Sequence, residues 1–303
     1  MKIKLWITMI VSCLISMSFA QDTLTVVAVG EAEVEKDLIS FIKPQATFMT
    51  PKESIALDEI FEIFKSDFDF YRHLFIVDKE IHKSIENAKG RFQCLFSVSK
   101  KGSDLFLTLN LIDSKLKKTI LEDETKYDIA EKRKFAHTVT DKIYRAITGK
   151  KSVFQSKIFF ISDKGSKGST LVKELYQMDF DGANKKRITF LNSMIISPGV
   201  SFEGDRILYS VIETGLKKAS SGKGMQRVKN INLYLLNLKT RKSKLVSNID
   251  GINSGAIFSK DGESTYLTLS YLKNADIYKI HLKTGKKKRI TNNFSDDVDP
   301  HIN

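Results

Sequence analysis

The stretch Leu175-Tyr176-Gln177-Met178-Asp179-Phe180-Asp181-Gly182, followed by Lys186-Arg187-Ile188-Thr189, decides the reading of this chain because it returns. A second copy is Leu233-Tyr234-Leu235-Leu236-Asn237-Leu238-Lys239-Thr240 with Lys244-Leu245-Val246. A third is Ile277-Tyr278-Lys279-Ile280-His281-Leu282-Lys283-Thr284-Gly285 with Lys288-Arg289-Ile290-Thr291. The tyrosines at 176, 234 and 278 are spaced by 58 and 44 residues. Between copies lies Pro198-Gly199-Val200-Ser201-Phe202-Glu203-Gly204, matched by Ala256-Ile257-Phe258-Ser259-Lys260-Asp261-Gly262, and Pro300-His301-Ile302-Asn303 opens the same marker again. A period of about 40–45 residues holding about four short strands predicts a β-propeller.

Each unit parses into strands by alternation of apolar and polar residues, with Asp-Gly and Thr-Gly supplying tight turns. The first full unit predicts strands at 199–202, 206–212, 232–238 and 243–247; the next predicts 256–259, 264–272, 276–282 and 287–291. Residues 154–162 and 171–189 supply only the outer part of a preceding blade. The ring is therefore expected to be incomplete, at about two and a half blades, where closure needs at least about four. The chain is expected to be C-terminally truncated inside an inner strand, leaving a long unpaired edge.

Upstream of the repeats the pattern mixes helices and strands, which predicts an α+β N-terminal domain over 21–150 before the partial propeller domain over 151–303. Thr50-Pro51-Lys52-Glu53 is a helix start with a capping box, and a stripe of Ile55, Ile60, Ile63 and Phe64 carries the helix to about Lys65. A strand is expected at 73–77, a helix at 78–87, a hairpin of 91–99 with 104–113, a third strand near 118–124, and a helix over 128–147 ended by Gly149. Residues 24–29 read as a first strand or as the free start of the mature chain.

The first twenty residues form a secretory signal: Lys2 and Lys4, an apolar core over Leu5–Ile15, and Ser18-Phe19-Ala20 before the expected cleavage. A competing reading takes Ile10-Val11-Ser12-Cys13 as a lipid-attachment box. Cleavage after Ala20 leaves Cys94 alone, which excludes an internal disulfide; its alternation with Phe92, Phe96 and Val98 predicts a buried thiol. The formal net charge is +13, and +11 without Lys2 and Lys4. That basic balance reads as a lysine-rich solubilising surface, with anionic partners as the sharper alternative. Export and the absence of a nucleic-acid motif disfavour nucleic acid. The first full unit exceeds the second by 14 residues, between Thr214 and Asn230, with Lys217, Lys218, Lys223, Arg227 and Lys229 and no acid. It reads as a solvated, mobile loop, or as a contact for an anionic partner.

Catalytic constellations are missing. Gly165-Ser166-Lys167-Gly168-Ser169 is not a nucleophile elbow, Ser221-Gly222-Lys223-Gly224 is not a phosphate-binding loop, and the five histidines show no zinc-like pairing. Asp296, Asp297 and Asp299 read as a solvated turn, with a cation site as the sharper alternative.

With these residues in view, the chain resembles the TolB family of the Tol–Pal system. Ile147-Thr148-Gly149, Phe154 and Lys157-Ile158-Phe159-Phe160 resemble the family's domain junction. Asp181-Gly182 with Asn184 before Arg-Ile-Thr, and Asp297 with Pro300, resemble its propeller repeats. The family's Trp-Ser-Pro-Asp-Gly is weakened here to the two markers quoted above. The resemblance implies an α+β domain followed by a propeller of about six blades, in a periplasmic scaffold without enzyme activity or cofactor. It links TolA and the peptidoglycan-associated lipoprotein Pal, maintains outer-membrane integrity, and supports envelope constriction in cell division and protein transport. Other outer-membrane lipoproteins or porins are further implied partners, with the membrane itself reached only indirectly. The TolA-like contact falls on the mature N-terminus, Gln21, Asp22, Thr23, Leu24 and Thr25. The Pal-like contact falls on one propeller mouth, at Asn253, Ser254, Gly255, Asp297 and Val298, where the loops 192–197, 250–255 and 293–299 converge. Two rivals stand beside this: the non-catalytic propeller of a secreted hydrolase, and a glycan-binding or lyase propeller.

Overall fold

The computed structural model describes residues 35–168, 170–218, 224–270 and 274–302. The signal sequence, the segment 24–29 and the TolA-like residues Gln21–Thr25 lie outside the described residues.

The N-terminal part is a mixed five-stranded sheet in the order β2-β1-β3-β4-β5, built from β1 (Asp37–Ile42), β2 (Phe75–His82), β3 (Phe92–Lys101), β4 (Asp104–Asp113) and β5 (Lys118–Tyr127). β1 runs parallel to both neighbours, and β3-β4-β5 form an antiparallel meander. Strict alternation along β4 buries Leu105, Leu107, Leu109 and Leu111 on one face. Helices α1 (Pro51–Phe70) and α2 (Lys132–Thr148) cover that face, and Phe61, Phe64 and Phe68 of α1 meet Phe41 and Phe96 of the sheet. Cys94 is buried in this core, and burial pushes its thiol far up.

The predicted capping box is present: Glu53 N–H donates to Thr50 Oγ1, and Thr50 N–H to Glu53 Oε2 at 2.7 Å. Three expectations here are corrected. α1 runs on to Phe70 because Phe68, one turn beyond Phe64, is fully buried and Asp67 finds its partners on α2. Residues 78–87 are not a helix. β2 continues to His82, where Ser40 Oγ donates to Asp78 Oδ2 at 2.8 Å, and only a 3-10 turn at Ile85–Asn87 follows. α2 starts at Lys132 because Asp128 Oδ1 accepts from Ala130 N and holds a turn first. Gly149 caps it in the left-handed region, as expected.

Three antiparallel sheets follow: β6 (Lys157–Ser162), β7 (Glu174–Asp179) and β8 (Lys186–Arg187); β9 (Met194–Val200), β10 (Arg206–Lys218), β11 (Met225–Asn237) and β12 (Ser243–Ser247); β13 (Asn253–Phe258), β14 (Ser264–Leu269), β15 (Asp276–His281) and β16 (Lys287–Arg289). The order is up-and-down within each, as in propeller blades, and the ring is not closed among the described residues. Blades meet at their inner strands. A Cβ built on Gly199 of β9 would stand 2.2 Å from the Ala256 carbonyl of β13, so only glycine allows this approach. Ser210 Oγ donates to the Asn253 carbonyl and Arg206 Nη1 to that of Gly262, tying the two blades together.

The inner strands begin earlier than expected, at Met194 and Asn253, and end at Val200 and Phe258 within the marker, whose second half from Ser201 and Ser259 is a turn. Ser201 Oγ and Ser259 Oγ accept from the amides of Arg206 and Ser264, while Gly204 and Gly262 close the turns with positive φ. Phe202 is left exposed. The expected loop over 214–230 is corrected too: β10 and β11 stay paired out to Lys218 and Met225.

Acid sensitivity follows from carboxylates held ionised. Burial acts to raise the Asp113 carboxyl, but the Arg91 guanidinium and the Leu116 and Lys115 amides hold it net below its usual value. Asp123, against Lys142, and Asp179, against Lys157, are depressed in the same balance of burial and pairing. A depressed folded value contributes stability that is present above the unfolded value near about 4 and is lost as pH falls through the folded value. The melting midpoint is therefore expected to fall below about pH 4. In Arg91→Ala the deficit against the parent chain should be full at neutral pH and shrink below that point. A deficit that stays constant from neutral pH into the acid range would overturn this account.

Candidate interaction surfaces

The repeat unit is held by a clamp whose key residue stands one position before the repeat as read from the sequence. Glu174, fully buried at the start of β7, accepts from Arg187 Nη2 at 2.7 Å and from the Asn192 amide at 2.7 Å, and Thr189 Oγ1 donates to its other oxygen. Thr189 Oγ1 in turn accepts from Leu175 N. In the last blade Asp276 accepts from Arg289 Nη2 at 2.5 Å, and Thr291 Oγ1 accepts from Ile277 N. The middle blade changes both partners together: Asn232 stands for the acid and Leu245 for the arginine. Asn232 instead donates to Glu213 Oε2, and Tyr234 donates to Glu213 Oε1; burial first, and then this carboxylate, raise the Tyr234 phenol to about 12. This is why Lys-Arg-Ile-Thr recurs: arginine and threonine close the outer strand over a buried acid. The signal for Glu174 and Asp276 was their shared register before Leu175 and Ile277.

The clamp fixes where the chain leaves the outer strand of the first and last blades, Asn253 does so after the middle one, and the crossings form one edge of the blades. Ser210 pairs with Ile196 at the start of β9 and donates to the Asn253 carbonyl at the start of β13, so both inner strands start on the same side. Of the sequence-predicted residues, Asn253 is fully buried. It accepts from Ser247 Oγ and donates to the Ile231 and Ile249 carbonyls, so its side chain pins the crossing and faces inward. Ser254 and Gly255 are half-buried. The Gly255 φ is +62°, and a Cβ there would stand 2.6 Å from Asp299 Oδ1. The 293–299 loop folds back over β14 and β15: Asp297 N donates to the Ala275 carbonyl, Asn293 Nδ2 to Asp297 Oδ2, and Asp299 N to Thr268 Oγ1. Gly255 and the loop carrying Asp297 and Val298 are thus brought together, with Val298 exposed. The acidic turn uses its carboxylates in these contacts, Asp296 Oδ1 accepting from Ala275 N. Among the described residues no group of three His, Cys, Asp or Glu side chains is placed to hold a metal ion.

What the sequence reading missed, having named Val298 alone of the exposed apolar residues here, is the rest of an apolar set. Phe190 (70% exposed) and Leu191 follow the first clamp, Ile252 lies in the second crossing, and Phe294 and Val298 (57% exposed) lie in the third. Large apolar side chains are thus left in solvent along the crossings of three successive blades. Phe190 and Leu191 directly after the first Arg-Ile-Thr, and single apolar residues in the otherwise polar crossings that hold Ile252 and Phe294, were the available clue.

A second meeting point joins the first blade to the helices. The β7–β8 turn places Phe180 against Phe70, Phe154 and His137. Asp181 pairs with Arg133 and lies 3.5 Å from His137 Nε2, while His137 Nδ1 is 2.9 Å from the buried Asp67. Burial pushes the Asp67 carboxyl up against these partners.

The TolB beta propeller domain model matches residues 144–303. The Tol-Pal system protein TolB of Jannaschia sp. (strain CCS1) is 43% identical over 83 residues, covering 27% of this chain and 18% of that protein. The protein of the same name from Rickettsia rickettsii (strain Sheila Smith) is 30% identical over 157 residues, covering 50% of this chain and 32% of that protein. The crystal structure of TolB from Acinetobacter baumannii superposes with a TM-score of 0.67 at 19% identity, covering 87% of this chain and 62% of that one. The matches span about a third or less of these two curated relatives and under two thirds of the solved chain.

Proposed function

This chain belongs to the TolB beta propeller domain family, and on that premise we propose that it is a periplasmic, non-catalytic scaffold of the Tol–Pal system. In this reading it holds the lipoprotein Pal on the crossing edge of its blades and TolA through its mature N-terminus, and so couples partner exchange to outer-membrane integrity and division. The observation that carries the Pal-type contact is the exposed apolar edge formed by Phe190, Leu191, Ile252, Phe294 and Val298. Such side chains, beside the backbone-accessible Ser254 and Gly255, supply the desolvated anchors that dominate protein interfaces. The TolA-type contact rests on the β-rich, chain-end character of Gln21, Asp22, Thr23, Leu24 and Thr25, since a free extended segment can add to a partner's sheet edge.

Gly255 is a poor probe of this edge, because any side chain there strains a left-handed turn beside Asp299. Phe294→Ala with Val298→Asp is the better test. It should weaken a Pal pull-down by more than about tenfold, one anchor's worth of binding energy, with an unchanged melting midpoint because both side chains are exposed. Phe202→Ala, exposed away from the crossings, should bind as the parent does. An unaltered pull-down from the double variant would refute the placement. Deleting Gln21–Thr25 should abolish TolA binding alone; TolA binding that survives the deletion sinks that half of the reading.

A further inference from the structure

The last blade's central hairpin stops at the pair Leu269–Asp276. Its counterpart does not stop at the equivalent pair, Val211–Asn232. β10 and β11 run on for seven more pairs, from Ile212–Ile231 to Lys218–Met225. At about 3.3 Å per residue this is a two-stranded ribbon reaching roughly 20 Å beyond the blade. Burial ends with Val211 and Asn232, whereas Thr214, Gly215, Gly224, Met225 and Lys229 are exposed, so the ribbon leaves the body.

Its composition is one-sided. From Thr214 to Asn230 there is no acid. The register puts Thr214 opposite Lys229, Leu216 opposite Arg227 and Lys218 opposite Met225. Because faces alternate along a strand, these six positions share one face: three cations, two apolar residues and a threonine. Each of these three rungs carries one cation and no rung carries an acid, so nothing within the ribbon offsets its charge. A two-stranded ribbon clear of its body is already marginal in water. Seven added pairs with that charge pattern make physical sense against an anion that neutralises them.

We propose that this ribbon is an arm that docks on a bilayer containing anionic phospholipid. Lys218, Arg227 and Lys229 supply the attraction to headgroup phosphates, and Leu216 and Met225 the apolar contribution at the headgroup–acyl boundary. A lipid surface is favoured over an acidic protein because the face alternates cation with apolar residue and carries no aromatic anchor or acid to fix one protein's register. The contact extends the expectation of indirect membrane association to a direct one, and the ribbon rises from the crossing edge itself, since Ile212 pairs with Met194 at the start of β9 and Gly251 N donates to Asn230 Oδ1.

The test is vesicle flotation of the whole chain. It should float with phosphatidylcholine vesicles containing about one-third phosphatidylglycerol, stay behind with pure phosphatidylcholine, and be released as salt shortens the screening length to about 3–5 Å. Reversing the face with Lys218→Glu, Arg227→Glu and Lys229→Glu should cost on the order of a hundredfold in partitioning, with circular dichroism and melting midpoint unchanged. The same number of reversals on the outer surface of the last blade, Lys283→Glu, Lys286→Glu and Lys288→Glu, should cost at most a few-fold. Failure of the parent chain to float, equal losses in both triple variants, or capture on polyglutamate beads without flotation would each overturn the proposal. The last of these would assign the ribbon to an acidic protein.

Discussion

Glu174→Ala is expected to lower stability by about 3–5 kcal/mol, the cost of stripping one partner from a buried ion pair. Four groups converge on that carboxylate or its partner: the Arg187 guanidinium, the Thr189 hydroxyl, the Asn192 amide and, through Thr189, the Leu175 amide. Removing it leaves Arg187 without its carboxylate and the crossing into β9 without its anchor. For a chain of this size the melting midpoint should fall by roughly 10 °C. Glu174→Gln keeps the shape and an oxygen for the amide, and should lose clearly less. The middle blade is the built-in control: with Asn232 and Leu245 in the equivalent places it has no such pair, so Asn232→Ala should be milder than Glu174→Ala. If scanning calorimetry shows Glu174→Ala and Asn232→Ala falling together, the clamp is not what holds the blade.

Phe154→Ala carries the second large effect, about 3–5 kcal/mol for emptying a fully buried aromatic site. Phe154 has ring contacts with Phe68, Tyr71, Tyr144 and Phe180, at centroid distances of 6.0, 5.4, 6.1 and 5.5 Å. The first three belong to the helical layer and Phe180 to the first blade, so the ring fills the seam at the proposed 150/151 division. Beyond the fall in midpoint, the blade should loosen from the helices: limited proteolysis should cut within 150–157 faster than in the parent chain. Leu109→Ala, as deeply buried within the N-terminal sheet, should lower stability without that new cleavage. Cleavage appearing equally in both variants would show that Phe154 is an ordinary core residue and not the joint.

The capping box at Thr50 and Glu53, the left-handed Gly149 cap, the β3–β4 hairpin and the four-strand period of the blades were all legible in the chain, because each rests on contacts within a few residues. The failures share a cause as well. α1 outlasted its visible stripe because Asp67 is completed by His137 and Thr140, about seventy positions away. Residues 78–82 stayed extended because Asp78 is claimed by Ser40 on a parallel neighbour. The markers open as strand, as read, but at Ser201 and Ser259 the serine hydroxyls turn the chain sooner than the alternation of apolar residues suggested.

The partner-facing residues divide the same way. That the loops entering β9 and β13 share an edge followed from the repeat, since identical units stacked in one orientation must present equivalent loops together. That Asn253 turns inward while Phe294 and Val298 turn outward did not follow, because burial depends on which neighbouring carbonyls and strands arrive from other blades. The basic segment 214–230 read as a loop because glycines, serines and lysines weaken local strand preference. Cross-strand pairing, with β10 already held in the blade by Val211 and Asn232, decided otherwise and carried 214–218 and 225–230 outward as a ribbon. Short-range period and turn chemistry determined the kind of fold from sequence alone; long-range pairing decided where each strand ended and which side chains were left to meet a partner.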